Sequence, residues 1–220
     1  MNKIVGALCL AIMFSFNLVY GQYSLSEFMQ GDDGREGALD LGILLGPGIA
    51  STHVAESGHG DWEPGFSFAG GPFIRYTLQK TIALQADLLY TSSTSYDYPE
   101  DSYYFDEVAF KVSTLQIPLS ILLSPNHKSK AASFYLGGGM FAAIPLNAEF
   151  VYDDQDYSQD VMDYFPDLLY GYNAMIGVKA MDVIAELRYS YELNGLGYDD
   201  ELVPKYNNWN VRLLLGYSFF

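Results

Sequence analysis

Residues 207–220 constrain this chain most. Trp209, Val211, Leu213, Leu215, Tyr217 and Phe219 fall on one face, and Asn210, Arg212, Leu214, Gly216, Ser218 and Phe220 on the other. A strict period of two over this length is a strand and excludes a helix. The apolar face carries aromatics near both ends and aliphatics between them. A strand reads this way when one face touches lipid and its aromatics sit at the two water interfaces. A soluble edge strand would rarely show such a face to solvent. The remaining strands are expected to close against this one.

The start of the chain reads differently. Lys3 is followed by a nearly unbroken apolar run to Val19, and Val19 and Gly21 place small residues three and one before a cut at Gly21–Gln22. This is the pattern of a secretory signal peptide, residues 1–21. A membrane-anchor helix is the alternative, but the run is short for a span. Cys9, the single cysteine, lies within it, so the mature chain has no disulfide chemistry. No later apolar run is long enough for a spanning helix. A membrane form must therefore be a barrel, since only a barrel or a helix satisfies its backbone in lipid. Residues 22–37 are polar and read as a periplasmic lead, and residues 38–220 as one outer-membrane β-barrel. The net charge of -16 argues against a nucleic-acid partner.

Eight strands are predicted, over 38–50, 66–78, 81–92, 107–123, 131–146, 167–180, 183–193 and 207–220. Upstream in the fourth, Val108, Phe110 and Val112 run in the opposite phase to Leu115, Ile117 and Leu119. A bulge near Ser113 is inferred, shifting the facing by one residue. Gly137-Gly138-Gly139 in the fifth suggests a bend or close packing; a phosphate-cradling loop would need a following helix, and none is read there. The connections alternate long, short, long, short, long, short, long. Short periplasmic turns and long outer loops give outer-membrane barrels this alternation. The fold expected is an all-β, single eight-stranded antiparallel transmembrane barrel with up-and-down meander topology.

Five stretches resemble the PorT-like outer-membrane β-barrel proteins of Bacteroidota: residues 81–92 (TIALQADLLYTS), 115–123 (LQIPLSILL), 133–139 (SFYLGGG), 184–193 (IAELRYSYEL) and 211–220 (VRLLLGYSFF). The resemblance covers roughly residue 38 onward. Members usually finish on one aromatic in phase with the lipid face; here Phe219 holds that phase and Phe220 is an extra residue. The resemblance implies the fold and a Gram-negative outer membrane. It brings no shared catalytic residue. Some members assist secretion, which makes a secretion-accessory barrel one alternative function.

If the apolar faces meet lipid, Asp40, Arg75, Asp87, Lys179, Glu186, Arg188, Glu192 and Arg212 face the lumen, four acids against four bases. Buried charges must be paired, so a closed charge network is expected, with Gln85 and Gln116 helping. The lipid-facing aromatic girdle is expected at Tyr76, Tyr90, Tyr170, Tyr189, Trp209, Tyr217 and Phe219. His53 and His59, with Asp61, share the first long loop and would suit a transition metal; the plainer reading is two loop histidines without a joint role. No histidine falls in a predicted strand, so a nucleophile has no obvious base, and no enzyme and no cofactor are expected.

The long loops are acidic: Glu56, Asp61 and Glu63; Asp97, Glu100, Asp101 and Asp106; Glu149, Asp153, Asp154, Asp156, Asp160 and Asp163; Asp199, Asp200 and Glu201. They form either a solvated crown or a surface for divalent cations or protein partners. The other partner expected is outer-membrane lipid. The function expected is a structural or partner-binding role for a small barrel. A narrow pore for small solutes and a soluble lipocalin-like barrel are the alternatives.

Overall fold

The computed structural model describes residues 37–55, 62–98, 107–124, 132–152, 157–195 and 205–219. Ten strands form: β1 (Leu39–Ala55), β2 (Glu63–Gln79), β3 (Ile82–Asp87), β4 (Leu89–Asp97), β5 (Val108–Leu123), β6 (Ser133–Tyr152), β7 (Tyr157–Asp160), β8 (Leu169–Ala180), β9 (Val183–Glu192) and β10 (Lys205–Ser218). A single 3-10 turn, Met162–Tyr164, is the one helical element among the described residues.

The ring has eight walls, all antiparallel, because β3 and β4 are two parts of one wall. Both pair with β2 on one side and β5 on the other. They part at Leu88, which faces Pro72. The Leu88 amide donates to the Pro72 carbonyl at 2.9 Å, but a proline has no N–H to return the bond. The chain order continues from β5 through β6, β8 and β9 to β10, and β10 pairs back onto β1 from Gly42↔Ser218 to Ala55↔Lys205. No edge is left open in the ring. β7 stands outside it as a short fringe on the far end of β6.

Partners traced round the ring define its stagger. From Asp40 they run through Arg75, Gln85, Ser120, Gly139, Asn173, Ser190 and Asn210 and return to β1 at Ala50, ten residues further on. Closure at this stagger requires tilted strands, and a ring of eight is just wide enough for its own side chains to fill.

The facing follows the sequence alternation nearly throughout. Phe66, Leu84, Leu119, Ile176, Leu187 and Leu213 point outward and are exposed, Phe66 by 62%. Their strand neighbours Ser67, Gln85, Ser120, Met175, Arg188 and Leu214 are buried inside.

Two expectations need correction. The irregularity near Ser113 lies on the partner strand. Ser113 pairs with Asn147 and Thr114 with Pro145, which leaves Leu146 as the extra residue of a bulge in β6. β5 therefore keeps one phase, and Phe110 and Val112 point into the barrel instead of toward lipid. Pro145, with no N–H, removes a ladder bond beside the bulge. The walls also reach beyond the predicted boundaries at the long-loop end. Residues 51–55, 63–65, 93–97 and 147–152 are strand, not loop. Acidic and polar content there marks solvent exposure of the strand, not loss of it. His53 thus lies within β1, on its exposed side, contrary to the expectation that no histidine falls in a strand.

Gly137 and Gly139 point inward, where a Cβ on Gly139 would meet the Leu119 carbonyl and one on Gly137 would meet the Leu122 side chain. Close approach of β5 and β6 accounts for both.

Candidate functional site in the barrel interior

The interior is lined by buried polar and charged side chains along the barrel, with an aromatic cluster toward the long-loop end. At its centre six residues form a closed loop of contacts. Arg75 donates from Nε and Nη2 to Gln85 Oε1, at 2.9 and 2.7 Å. Gln85 Nε2 donates to Asp87 Oδ1 at 2.9 Å, and Arg188 Nη1 donates to Asp87 Oδ2 at 2.7 Å. Arg188 Nε donates to Glu186 Oε1 at 2.7 Å, and Tyr135 Oη donates to Glu186 Oε2 at 2.8 Å. Arg75 closes the loop by lying over the Tyr135 ring, 4.6 Å from its centroid. Cation–π attraction strengthens when such a site is dry.

Of the eight charged residues predicted for the lumen, five are joined in ion pairs. Asp87, Glu186 and Arg188 form the central triad, and Arg188 Nη2 also approaches Glu186 Oε1 to 2.6 Å. Lys179 and Asp40 pair at 2.8 Å at the short-turn end, where both are partly exposed. No ion pair joins Arg75, Glu192 or Arg212 to a described residue. Neutral groups serve them instead: Gln85 for Arg75, Ser67 Oγ at 3.0 Å for Arg212, and Asn208 Nδ2 at 2.8 Å for Glu192. Charge counting could not foresee this, because amide and hydroxyl partners carry no formal charge to match. Gln116 is buried within the same interior.

Above the loop a second polar chain crosses the lumen. Ser95 Oγ and Thr52 Oγ1 lie 2.6 Å apart, and Thr52 Oγ1 donates to Asn208 Oδ1 at 2.8 Å. Asn208 then reaches Glu192, so β4, β1, β10 and β9 are tied together.

The long-loop end is closed by a feature absent from the sequence reading. Trp62, Phe110, Val112, Phe141, Val161 and Phe165 form a buried cluster, with Phe150 and Tyr206 packed against it. Phe110 and Phe150 pack tilted with ring centroids 4.8 Å apart, and the Trp62 ring centroid lies 6.0 Å from that of Phe110 and 5.9 Å from that of Phe150. Trp62 is fixed by its backbone: its amide donates to Thr52 O at 3.0 Å, and Ser51 Oγ donates to its carbonyl. Val161 and Phe165 reach the cluster from either side of the 3-10 turn, inside a stretch expected to be loop. The opposite phase of Val108, Phe110 and Val112 was the available signal.

On the outside, Tyr76, Tyr217 and Phe219 stand near the short-turn end, and Tyr90, Tyr170, Tyr189 and Trp209 stand in the long-loop half, all in outward phase. Tyr172 and Tyr191 belong with them, stacked at 5.5 Å. His59, Asp61 and most of the acidic loop residues, with the cut site at Gly21–Gln22 and Phe220, lie outside the described residues. Of the acidic set, Glu63, Asp97, Glu149 and Asp160 lie in strands, and Asp163 lies within the 3-10 turn. Among the described residues no group of three histidine, cysteine or carboxylate side chains is placed to hold a metal.

A closed antiparallel ring with an apolar exterior, aromatic bands and a filled polar core defines a small outer-membrane barrel. The chain belongs to the outer membrane protein beta-barrel domain family, whose sequence model matches residues 22–197. It therefore resides in the Gram-negative outer membrane. No curated protein sequence matches the chain. Neisserial surface protein A resembles it in fold, at 15% identity over 81% of this chain and 97% of that one, with a TM-score of 0.50. Ail, the attachment invasion locus protein of Yersinia pestis, matches at 16% identity over 84% and 100%, TM-score 0.43. The N-terminal β-barrel domain of Pseudomonas aeruginosa OprF matches at 12% identity over 86% and 100%, TM-score 0.38.

Proposed function

We propose that this barrel works through what it displays, not through what it conducts: a small, non-enzymatic outer-membrane protein with a structural or partner-binding role. The occluded interior carries this reading. An aromatic cluster fills one end, and the Arg75–Gln85–Asp87–Arg188–Glu186–Tyr135 loop of contacts fills the centre. Buried pairs and tight aromatic packing are costly to open. The long-loop end is read as extracellular, and its acidic loops as the surface that divalent cations or a protein partner would meet. Residues 1–21 are read as a signal peptide and Gln22 as the mature N-terminus. Within the wider family the chain is placed in the PorT-like group, on the sequence stretches quoted above.

Conductance of the purified protein in a planar bilayer tests the reading. A silent bilayer is expected; a steady open conductance overturns it in favour of a narrow pore. Cross-linking on intact cells followed by recovery of the protein should then capture a partner through the outer loops.

A further inference from the structure

β7 stands outside the ring, and its far edge has no strand beside it among the described residues. It pairs with β6 from Glu149↔Asp160 to Tyr152↔Tyr157. An antiparallel ladder engages alternate residues of a strand, so the others on β7 turn their amides and carbonyls away from β6. Ser158, Gln159 and Asp160 are exposed. The edge also lies beyond the apolar belt. Up the outer face of β5 and β6, the opposed pair Leu115 and Ile144 gives way to Ser113 and Asn147, then to Lys111 and Glu149. Charge on an outward face is costly in hydrocarbon, so this part of the wall stands in water.

One row across this sheet is incomplete. Thr94, Lys111, Glu149 and Asp160 are successive cross-strand partners on β4, β5, β6 and β7. Lys111 and Glu149 are opposite in sign, whereas Glu149 and Asp160 carry the same sign. Opposite charges facing each other stabilise a sheet, and like charges destabilise it. The two acids therefore share one base, and the next position in the row belongs to a strand that β7 lacks. A base at that position would offset Asp160. Asp160 Oδ1 accepts the Met162 amide at 2.9 Å, which holds its side chain at the edge.

We infer, resting on the partner-binding reading above, that the free edge of β7 docks an extended basic segment of another protein. The segment adds as a further strand and places Lys or Arg opposite Asp160. Backbone bonds give such a contact its affinity, and alternate side chains give it specificity. Charge selects the occupant. A second copy of this chain would bring another Asp160 and Glu149 to the same edge, and an acidic segment would repeat that conflict. A short edge carrying an acid resists indiscriminate pairing. It admits a strand of opposite charge.

The test uses the full chain refolded in detergent and a synthetic Thr-Lys repeat peptide as the probe. The peptide should bind and slow amide exchange within residues 157–160. The same peptide N-methylated at every residue keeps its charge but has no amide to give, and it should not slow exchange there. A Thr-Glu repeat should not bind. Asp160→Asn keeps the oxygen that accepts the Met162 amide and removes the charge; it should weaken the Thr-Lys peptide about two- to fivefold, the worth of one cross-strand charge pair. Equal binding of the N-methylated peptide, protection confined to residues other than 157–160, or an unchanged affinity in Asp160→Asn each overturns the inference. Should the peptide leave β7 unprotected while cross-linking on intact cells still captures a partner, strand addition falls and the partner-binding reading stands. Cross-linking that captures nothing removes both.

Discussion

Arg188 and Asp87, 101 positions apart in sequence, meet inside the barrel at 2.7 Å with both side chains almost fully withdrawn from solvent. The same guanidinium holds Glu186, so one base answers two acids. Replacing Arg188 by Leu leaves two carboxylates buried and uncompensated. The expected loss is about 3–5 kcal/mol, the usual result of removing one partner from a buried pair. Urea unfolding in bilayers reads it directly. Lys111→Ala, at an exposed outward position, should leave the midpoint unchanged. Replacing Arg188, Asp87 and Glu186 together by apolar residues should restore most of the loss, because a well-packed apolar core can match a buried ion triad.

The Lys179–Asp40 pair should behave differently. Both side chains keep solvent contact at the short-turn end. Lys179→Met should cost no more than about 1 kcal/mol, the range of exposed pairs. The difference should shrink further in high salt. A loss as large as that of Arg188→Leu would show that the short-turn end is far drier than its exposure indicates.

The chain has two tryptophans, and they report opposite sides of the wall. Trp62 is buried in the interior cluster, while Trp209 faces outward in the aromatic band. Brominated lipid should quench the fluorescence of the Trp62→Phe variant, which retains Trp209. It should leave the Trp209→Phe variant nearly unquenched. Equal quenching of the two would displace Trp62 from the core.

Phe110 tests the corrected phase of β5. It is 1% exposed, stacked on Phe165 and tilted against Phe150. Phe110→Ala should cost about 3–5 kcal/mol, as for other buried aromatics. Had Phe110 faced lipid at the rim, the change would have been close to neutral.

Leu187 and Ser190 face opposite ways on β9, and charge should hurt at both. Leu187→Arg, toward lipid, should cost about 2–4 kcal/mol if it lies near mid-bilayer. Ser190→Arg is the graver change. It would add a third guanidinium to a sealed wall already holding Arg188 and Arg212, which stand directly opposite each other. The contrasting pair is Leu187→Ala and Ser190→Ala, both of which should assemble normally.

Much of the fold was legible because a period of two is nearly the whole code of a barrel wall. The outward phase of Leu84, Ile176, Leu187 and Leu213 could be read by counting. The lumen charges could be assigned by the same count, yet not their partners. Arg75 meets Gln85 directly across the β2–β3 hairpin, whereas Arg212 reaches Ser67 over Gly48, through the closure of β10 on β1 that no single strand encodes. The Leu146 bulge was misplaced because an apolar phase change looks the same whether its own strand bulges or its neighbour does. Phe110 and Val112 were assigned to lipid on the assumption that apolar means outward. An interior capped by aromatics breaks that assumption.

The seam between β1 and β10 has a consequence for how the molecule is made. β10 is the last strand of the ring in chain order, and its partner is the ring's first, paired along almost its full length. Until that meeting, each of the two presents a row of unpaired amides and carbonyls, a template for association with the wrong chain. Closure is therefore a long-range event that local strand pairing cannot finish. Topologies dominated by such contacts fold slowly and are exposed to aggregation while they wait. For this protein the hazardous interval is the time spent as an open sheet, and an assembly factor that guards both edges at once would shorten it most.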